Sequence, residues 1–493
     1  MDTVLALLVG FGWPMHWGAA LLLVGELLAL LTIPSVLIRR RGHPTAALAW
    51  LLALIALPLA GVVLWWGIGR THLVRKRRRR VSAHLEVTRG LGDARSGTGR
   101  PEMVELLPLH RVPVDEAVSV FPPVAGNRVE VLVDGAAVYQ AIERAVVAAQ
   151  HHVHFLFYAW RADTTGRRLL DAVVGAARNG VQVRVLCDAL GSWGLSRRFL
   201  APLVDAGGRV AFFMPTRFLR RSLTLNFRNH RKLVVVDGRV GYTGGVNIGD
   251  EYTKNWRDLG VMLSGPVVAQ LQEVFADDWF FATGENLAAA DFFAAAGEQT
   301  AERERPHETW SEAVCAIVAG GPDTRFSTTH DSLFIAINRA RRRILITTPY
   351  LAPGPAMLAA LRTAAFRGVD VQLLVPRTSD VPFTYLAGRS YYPDLLAGGV
   401  RVFEYLKETL HSKLWLFDDD LSVVGSANLD TRSFRMNFEI SCWILARAVN
   451  ERLAALFAED KDASEEVTIE SVQDVGRVQQ LKEAVVNLLS PLL

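Results

Sequence analysis

Three features of this sequence predict an α/β protein built from two copies of one domain behind an N-terminal transmembrane helical hairpin. Two runs near the N-terminus are apolar over bilayer-spanning lengths. The remainder alternates β-rich stretches with Ala/Leu-rich helical ones. One polar signature occurs twice with identical internal spacing.

The chain has 493 residues, of which 50% are hydrophobic, so it is not a disordered chain. Its charge is unevenly spread. Residues 1–80 carry ten Lys/Arg against two acids, or +8, whereas the other 413 residues carry −4. The basic character therefore belongs to one end. A nucleic-acid binder needs a basic surface on the domain itself, so no nucleic-acid partner is expected. Cys187, Cys315 and Cys442 are too scattered for a metal site or a disulfide framework, which fits a reducing compartment.

The expected spans are about 17–38 and 45–69, each long enough for the roughly 20 residues that cross a bilayer. Two buried core helices would show the same apolar runs, but arginine clusters beside both favour membrane spans. Residues 3–16 are also apolar but short, and Asp2 stands where a signal peptide would be positive. Three arginines, Arg39 to Arg41, lie in the connection. A larger cluster, Arg70 and Arg75 to Arg80, follows the second run. The larger cluster should stay cytoplasmic, making the protein multi-pass with its body in the cytoplasm. The same cluster suits anionic headgroups. Glu26 inside the first run should be protonated or face the partner helix.

A polar linker, 81–105, leads to two domains expected at 106–305 and 306–493. Residues 151–188 read strand, helix, strand, with Gly180 closing the helix, and 341–376 repeat that plan with Gly368. Each copy leads to the signature, HRKLVVVDGRVGYTGGVN at 230–247 and HSKLWLFDDDLSVVGSAN at 411–428. One His-x-Lys-x4-Asp in a chain of this length is expected by chance roughly a few times in a hundred. Two copies with the same seven-residue Asp-to-Gly and seventeen-residue His-to-Asn distances are not coincidence.

Residues two apart in a strand share a face, so His230 and Lys232 pair, as do His411 and Lys413. Two-residue turns at Gly238-Arg239 and Asp419-Asp420 would place Lys232 opposite Gly245 and His230 opposite Asn247. They would place Lys413 opposite Ser426 and His411 opposite Asn428. Asp237 and Asp418 then lie about 16 Å from the lysines and should hold turns. Asp258 and Glu439 each follow their motif histidine by 28 residues and are candidates to orient an imidazole. Two lysines and two asparagines can surround a phosphate. One neutral histidine can attack phosphorus while the other works as acid and then base. No acidic cluster has metal-ligand spacing, so neither metal nor other cofactor is expected.

These motifs resemble the phospholipase D superfamily, and the text around them resembles its bacterial cardiolipin synthase branch. The matching stretches are NFRNHRKLVVVDGRVGYTGGVNIGDEY at 226–252, NWRDLGV at 255–261, DDWF at 277–280, TTPYLAPG at 347–354 and 410–439. The run at 39–61 resembles that branch's membrane hairpin. The resemblance implies two phospholipase-D-type domains sharing one site. The catalytic set it implies is His230, Lys232, Asp237, His411, Lys413 and Asp418, with His230 as nucleophile. It also implies phosphatidyl transfer between two phosphatidylglycerol molecules, giving cardiolipin and glycerol. Hydrolysis, or transfer to another alcohol, is the alternative, with a membrane-tethered nuclease the less favoured one.

Overall fold

The computed structural model describes residues 15–42, 44–69, 121–214, 227–288, 290–293, 310–323 and 326–487. Most of 1–16, the basic cluster and the linker lie outside the described residues. The described residues divide between an apolar N-terminal unit and a body.

In the N-terminal unit a helix at Met15–Arg39 turns through Gly42, at φ 90°, into a second run. Only the first is long and apolar enough to cross a membrane, over Ala20–Arg39. The second run is not the single span that its hydropathy predicts. Pro58 cannot donate the next helical hydrogen bond, and the run divides into helices at Pro44–Ala56 and Pro58–Leu64 and a π-turn at Trp65–Gly69. The two arms pack on each other. Trp65 Nε1 donates to Ser35 Oγ and Trp66 Nε1 to Thr32 Oγ1, both at 3.2 Å. Glu26 is exposed and does not face the partner arm.

The body is organised by one sheet of 16 strands. Its first half supplies β1 (Val124–Val133), β2 (His152–Phe157), β3 (Gln182–Asp188), β4 (Arg209–Phe213), β5 (Leu233–Val236), β6 (Val240–Gly244) and β7 (Leu259–Ser264). The second half supplies β8 (Trp310–Gly320), β9 (Arg343–Thr347), β10 (Asp370–Pro376), β11 (Arg401–Tyr405), β12 (Leu414–Phe417), β13 (Leu421–Gly425), β14 (Asn437–Leu445) and β15 (Ser464–Val467). The order is β15-β11-β10-β9-β12-β13-β14-β8-β1-β7-β6-β5-β2-β3-β4, with Arg228–Asn229 added beside β14. In each half a parallel trio joins antiparallel strands, and β1 pairs antiparallel with β8 at the centre.

Alternation along the strands explains why the halves cannot be separated. Ala316 and Val318 of β8 enter a core belonging to the second half, while Ile317 and Ala319 enter a core shared by both. In the first half, Phe155 faces that half's own core and Leu156 the shared one. The helix at Val267–Thr283 supplies Leu271 and Phe275 to the shared core, and the helix at Arg447–Asp462 supplies Leu453 and Phe457. Gly180 and Gly368, at φ 88° and 86°, end their helices as the sequence predicts.

Candidate active site

The hairpin register differs from the sequence expectation by one residue. Val236 pairs with Val240 and Phe417 with Leu421, so three residues form each turn. The first of the three, Asp237 or Asp418, adopts a left-handed conformation at φ 54° or 51°. Aspartate tolerates this conformation better than most residues. On this register Lys232 faces Gly244 and Lys413 faces Gly425, not Gly245 and Ser426. The His-x-Lys segments also precede β5 and β12 and are held by other contacts.

Those contacts are two short parallel ladders that cross between the halves. Arg228–Asn229 pairs with Asn437–Phe438, and Thr409–Leu410 pairs with Trp256–Arg257. The next residue in each case is a histidine on one chain and an acid on the other. His230 N donates to Phe438 O at 2.9 Å, and His411 N donates to Arg257 O at 2.8 Å. His230 Nδ1 consequently lies 3.1 Å from both oxygens of Glu439, and His411 Nδ1 lies 2.6 Å from Asp258 Oδ2. Each histidine is thus paired with the acid from the other half. The equal 28-residue offset gave the acids but not their crossing.

Burial sets the electrostatics. The side chains of His230 and His411 are 12% and 5% exposed, and both acids are fully buried. Burial, only partly opposed by Glu439, brings the His230 imidazole down to about 4. Burial and Lys413 push His411 well below its usual value. Burial also drives Lys232 far down and Lys413 to about 8. Lys232 Nζ donates to His230 O at 2.7 Å, and Lys413 Nζ donates to His411 O. The clusters are close enough that Lys413 acts on the charge of His230 and Lys232 on that of His411.

The two acids differ. Burial raises Asp258 to about 6. Burial works the same way on Glu439, but His230, Lys232 and Ser426 outweigh it and hold that carboxyl below its ordinary range. Ser426 Oγ donates to Glu439 Oε2, and Asn437 Nδ2 donates to Oε1 at 3.0 Å. Gly245, the counterpart of Ser426, leaves space for Asp258, since a Cβ there would come within 2.1 Å of Asp258 Oδ1. The Gly-for-Ser departure therefore accompanies a different acid environment.

The asparagines also differ. Asn247 Oδ1 accepts from Ala159 N at 3.1 Å and its Nδ2 donates to Tyr252 OH at 2.7 Å, so its amide is engaged by protein. Asn428 Oδ1 is buried with no partner among the described residues. Asp237 and Asp418 are not in the cluster. Asp237 accepts the backbone N–H groups of Gln150, His151 and His152 at 2.8, 2.8 and 2.9 Å. Asp418 accepts those of Arg341, Arg342 and Arg343. They join each turn to the start of the neighbouring strand through backbone N–H groups.

Sequence reasoning passed over several residues around the histidines. Tyr158 packs edge-on to His230 at 5.0 Å between ring centroids, and Trp256 lies 4.7 Å from His411. Arg231, between the motif's His and Lys, is buried and donates to Asp278 Oδ2 at 2.7 Å. The available signal for Arg231, Trp256 and Asp278 was their position inside HRK, NWRD and DDWF. Among the described residues, no cluster of three His, Cys, Asp or Glu is arranged to hold a metal.

Residues 142–279 and 333–461 match the family described as "Cardiolipin synthase, PLD-like domain". The cardiolipin synthase of Alkalihalophilus pseudofirmus is 32% identical, over 99% of this chain and 97% of that protein. The major cardiolipin synthase ClsA of Bacillus subtilis is 33% identical, over 95% of this chain and 98% of its own length. In fold, the body is similar to a phosphatidylserine synthase crystal structure from Haemophilus influenzae. The TM-score is 0.55 at 15% identity, covering 74% of this chain and 95% of that one. A doubled His/Lys cluster on a continuous two-half sheet, matched over both halves and across nearly the full length of these relatives, establishes that the chain belongs to the cardiolipin synthase family of phospholipase-D-like proteins.

Proposed function

We infer that the chain is a phosphatidyltransferase that converts two phosphatidylglycerol molecules into cardiolipin and glycerol. The observation that carries this reading is the pair of crossed His–carboxylate contacts, which joins both halves into one site. In the proposed cycle Glu439 accepts the Nδ1 proton of neutral His230, leaving the Nε2 lone pair to attack phosphorus. A P–N bond forms and the P–O bond to glycerol breaks. Protonated His411 gives its proton to the departing oxygen. A hydroxyl of the second phosphatidylglycerol then attacks the phosphohistidine and returns its proton to His411. The P–N bond breaks, cardiolipin leaves and His230 is restored.

Lys232, Lys413 and the unpartnered Asn428 Oδ1 border the phosphate in this reading. The lysines stabilise the non-bridging oxygens, and Asn428 Oδ1 is an acceptor for a substrate hydroxyl. Entry of a phosphodiester anion counters the burial that keeps His411 neutral in the empty site. Asp237 and Asp418 act through the fold. We place the body on the cytoplasmic side of a bacterial cell membrane, with the apolar N-terminal unit as its anchor, because the larger arginine cluster follows that unit.

The test is incubation of the purified chain with phosphatidylglycerol alone, followed by lipid mass spectrometry. Cardiolipin with equimolar glycerol is expected. Phosphatidic acid as the main product would make the protein a hydrolase. His230→Ala and His411→Ala should each lower turnover by more than about three orders of magnitude. Robust turnover by either would show that the halves do not share a site.

A further inference from the structure

The two halves repeat the residues that handle phosphate, but they do not repeat what stands beside them. In the second half Tyr350 follows β9 and packs edge-on to His411, at 6.4 Å between ring centroids. Its hydroxyl donates to Asp380, 2.9 and 2.8 Å from the two carboxylate oxygens. Asp380 is exposed on the loop after β10. The loop is tied locally, since Ser379 Oγ contacts Thr384 Oγ1 at 3.0 Å and Val381 N donates to Ser379 Oγ at 3.2 Å.

The first half has no such pair. Val153 stands opposite Val236 as Ile344 stands opposite Phe417, so Ala159 is the counterpart of Tyr350. Val183 pairs with Val153 as Val371 pairs with Ile344, so Ser192 stands at the same sequence offset as Asp380. Ser192 is buried and serves the backbone, donating to Tyr158 O and accepting from Trp160 N, each at 3.1 Å. An exposed carboxylate therefore flanks His411, whereas Glu439, bound to His230, and Asp188, which accepts from Asn229 N, are buried and committed to protein donors.

A carboxylate beside a site for anionic phosphodiesters weakens their binding by like-charge repulsion. It only accepts hydrogen bonds, so it suits a group rich in hydroxyl donors. The transfer proposed above involves such a group twice. Glycerol leaves from the donor, and the glycerol headgroup of the acceptor later attacks from the same side of phosphorus, opposite the nucleophilic histidine. One subsite beside the acid–base histidine serves both steps.

We propose that Tyr350 and Asp380 form this glycerol subsite, with Asp380 accepting from a headgroup hydroxyl and Tyr350 holding the carboxylate beside His411. The proposal rests on the transferase reading and adds to it the residues that select a polyol. It also assigns the leaving and attacking oxygens to the His411 side, which leaves His230 to carry the phosphatidyl group.

The experiment supplies the full-length protein, in phosphatidylglycerol mixed micelles, with equimolar deuterated glycerol and 1-propanol. Mass spectrometry then reads deuterated phosphatidylglycerol against phosphatidylpropanol. The wild type should favour glycerol. Loss of a hydrogen bond to a charged acceptor corresponds to about 10- to 100-fold, so Asp380→Asn should lower the glycerol-to-propanol ratio by about tenfold or more. Asp380→Glu should restore part of it, and Tyr350→Phe should lower it less. If Asp380→Asn makes neither product, the ratio is read on the other two variants. Ratios within twofold of wild type in all variants that turn over would overturn the subsite. A wild type that transfers to no alcohol, cardiolipin included, would instead overturn the transferase reading.

Discussion

Replacing Glu439 with Gln tests the crossed pairing directly. The glutamine keeps the side chain's shape, but it must turn an NH2 group toward one of three donors that now point at a carboxylate. These are His230 Nδ1, Ser426 Oγ and Asn437 Nδ2. If it meets His230, the ring must carry its proton on Nε2, where the attacking lone pair is needed. Losing the charge-assisted bond costs about 1.5–3 kcal/mol, or about 10- to 150-fold. The wrong tautomer raises the loss toward the roughly 10⁴ seen for the corresponding change in serine-hydrolase triads. We therefore expect kcat to fall by about 10² to 10⁴. Asp258→Asn should be comparable on phosphatidylglycerol, because it disables His411 as acid. The two variants separate on a phosphatidyl p-nitrophenyl ester, whose leaving group needs no proton. Burst release of nitrophenol should recover in Asp258→Asn and stay slow in Glu439→Gln. Digestion of the trapped phosphoenzyme identifies the modified histidine. If that histidine is His230, yet Asp258→Asn and not Glu439→Gln abolishes the burst, the acids do not work across the halves.

Three further outcomes follow from the same geometry. Asp237→Ala removes the acceptor of three backbone N–H groups, so thermal unfolding should show about 2–4 kcal/mol less stability, with activity tracking the folded fraction. A fully folded but inactive variant would contradict this. His152, whose imidazole burial brings down to about 4, stays neutral in the fold while the unfolded chain protonates near 6.5. The unfolded state then binds more protons between those values, and stability falls as pH drops from 6.5 toward 4, by up to about 3 kcal/mol from this group. His152→Gln should flatten that slope in pH-dependent melting, and an unchanged slope would exclude the group. Deleting residues 1–80 should leave a folded body, since the body's described core clusters are built from residues between Phe121 and Val472. That body should turn over detergent-dispersed lipid but work poorly on anionic vesicles, and equal activity on vesicles would remove the anchoring role.

The sequence was most informative where chemistry and repetition coincide. His230, Lys232, His411 and Lys413 were legible because two copies at fixed spacing exclude chance. The turns were legible in place but not in length. Gly238-Arg239 reads as a two-residue loop, and the left-handed Asp237 that makes it three is a backbone choice stabilised by the distant N–H groups of 150–152. The apolar run at 45–69 illustrates a different limit. Hydropathy sums over Pro58 without registering that proline divides the helix. The crossing of Glu439 and Asp258 was not legible at all. Equal offsets within each repeat are consistent with either pairing, and only the ladder at Arg228–Asn229 and its counterpart decide between them.

That crossing follows from how the halves meet. β1 and β8 run antiparallel at the centre of one sheet, so each half presents its motif to the other. The strand that begins at Asn437 can then lie beside the segment entering His230, and Trp256–Arg257 beside the segment entering His411. Neither imidazole has a carboxylate partner until both halves have folded. Arg231 extends the dependence, because it spans from Asp278 of the first half to the backbone oxygens of Glu439 and Gly320 of the second, at 2.7, 3.1 and 3.0 Å. The site and the shared core therefore both draw on the two halves. A duplicated fold gives two equal histidines. Their partners differ: His230, then Lys232 and Ser426, hold the Glu439 carboxyl below its ordinary range, whereas burial leaves Asp258 near 6. Opposite roles for two identical side chains require such a difference in their partners.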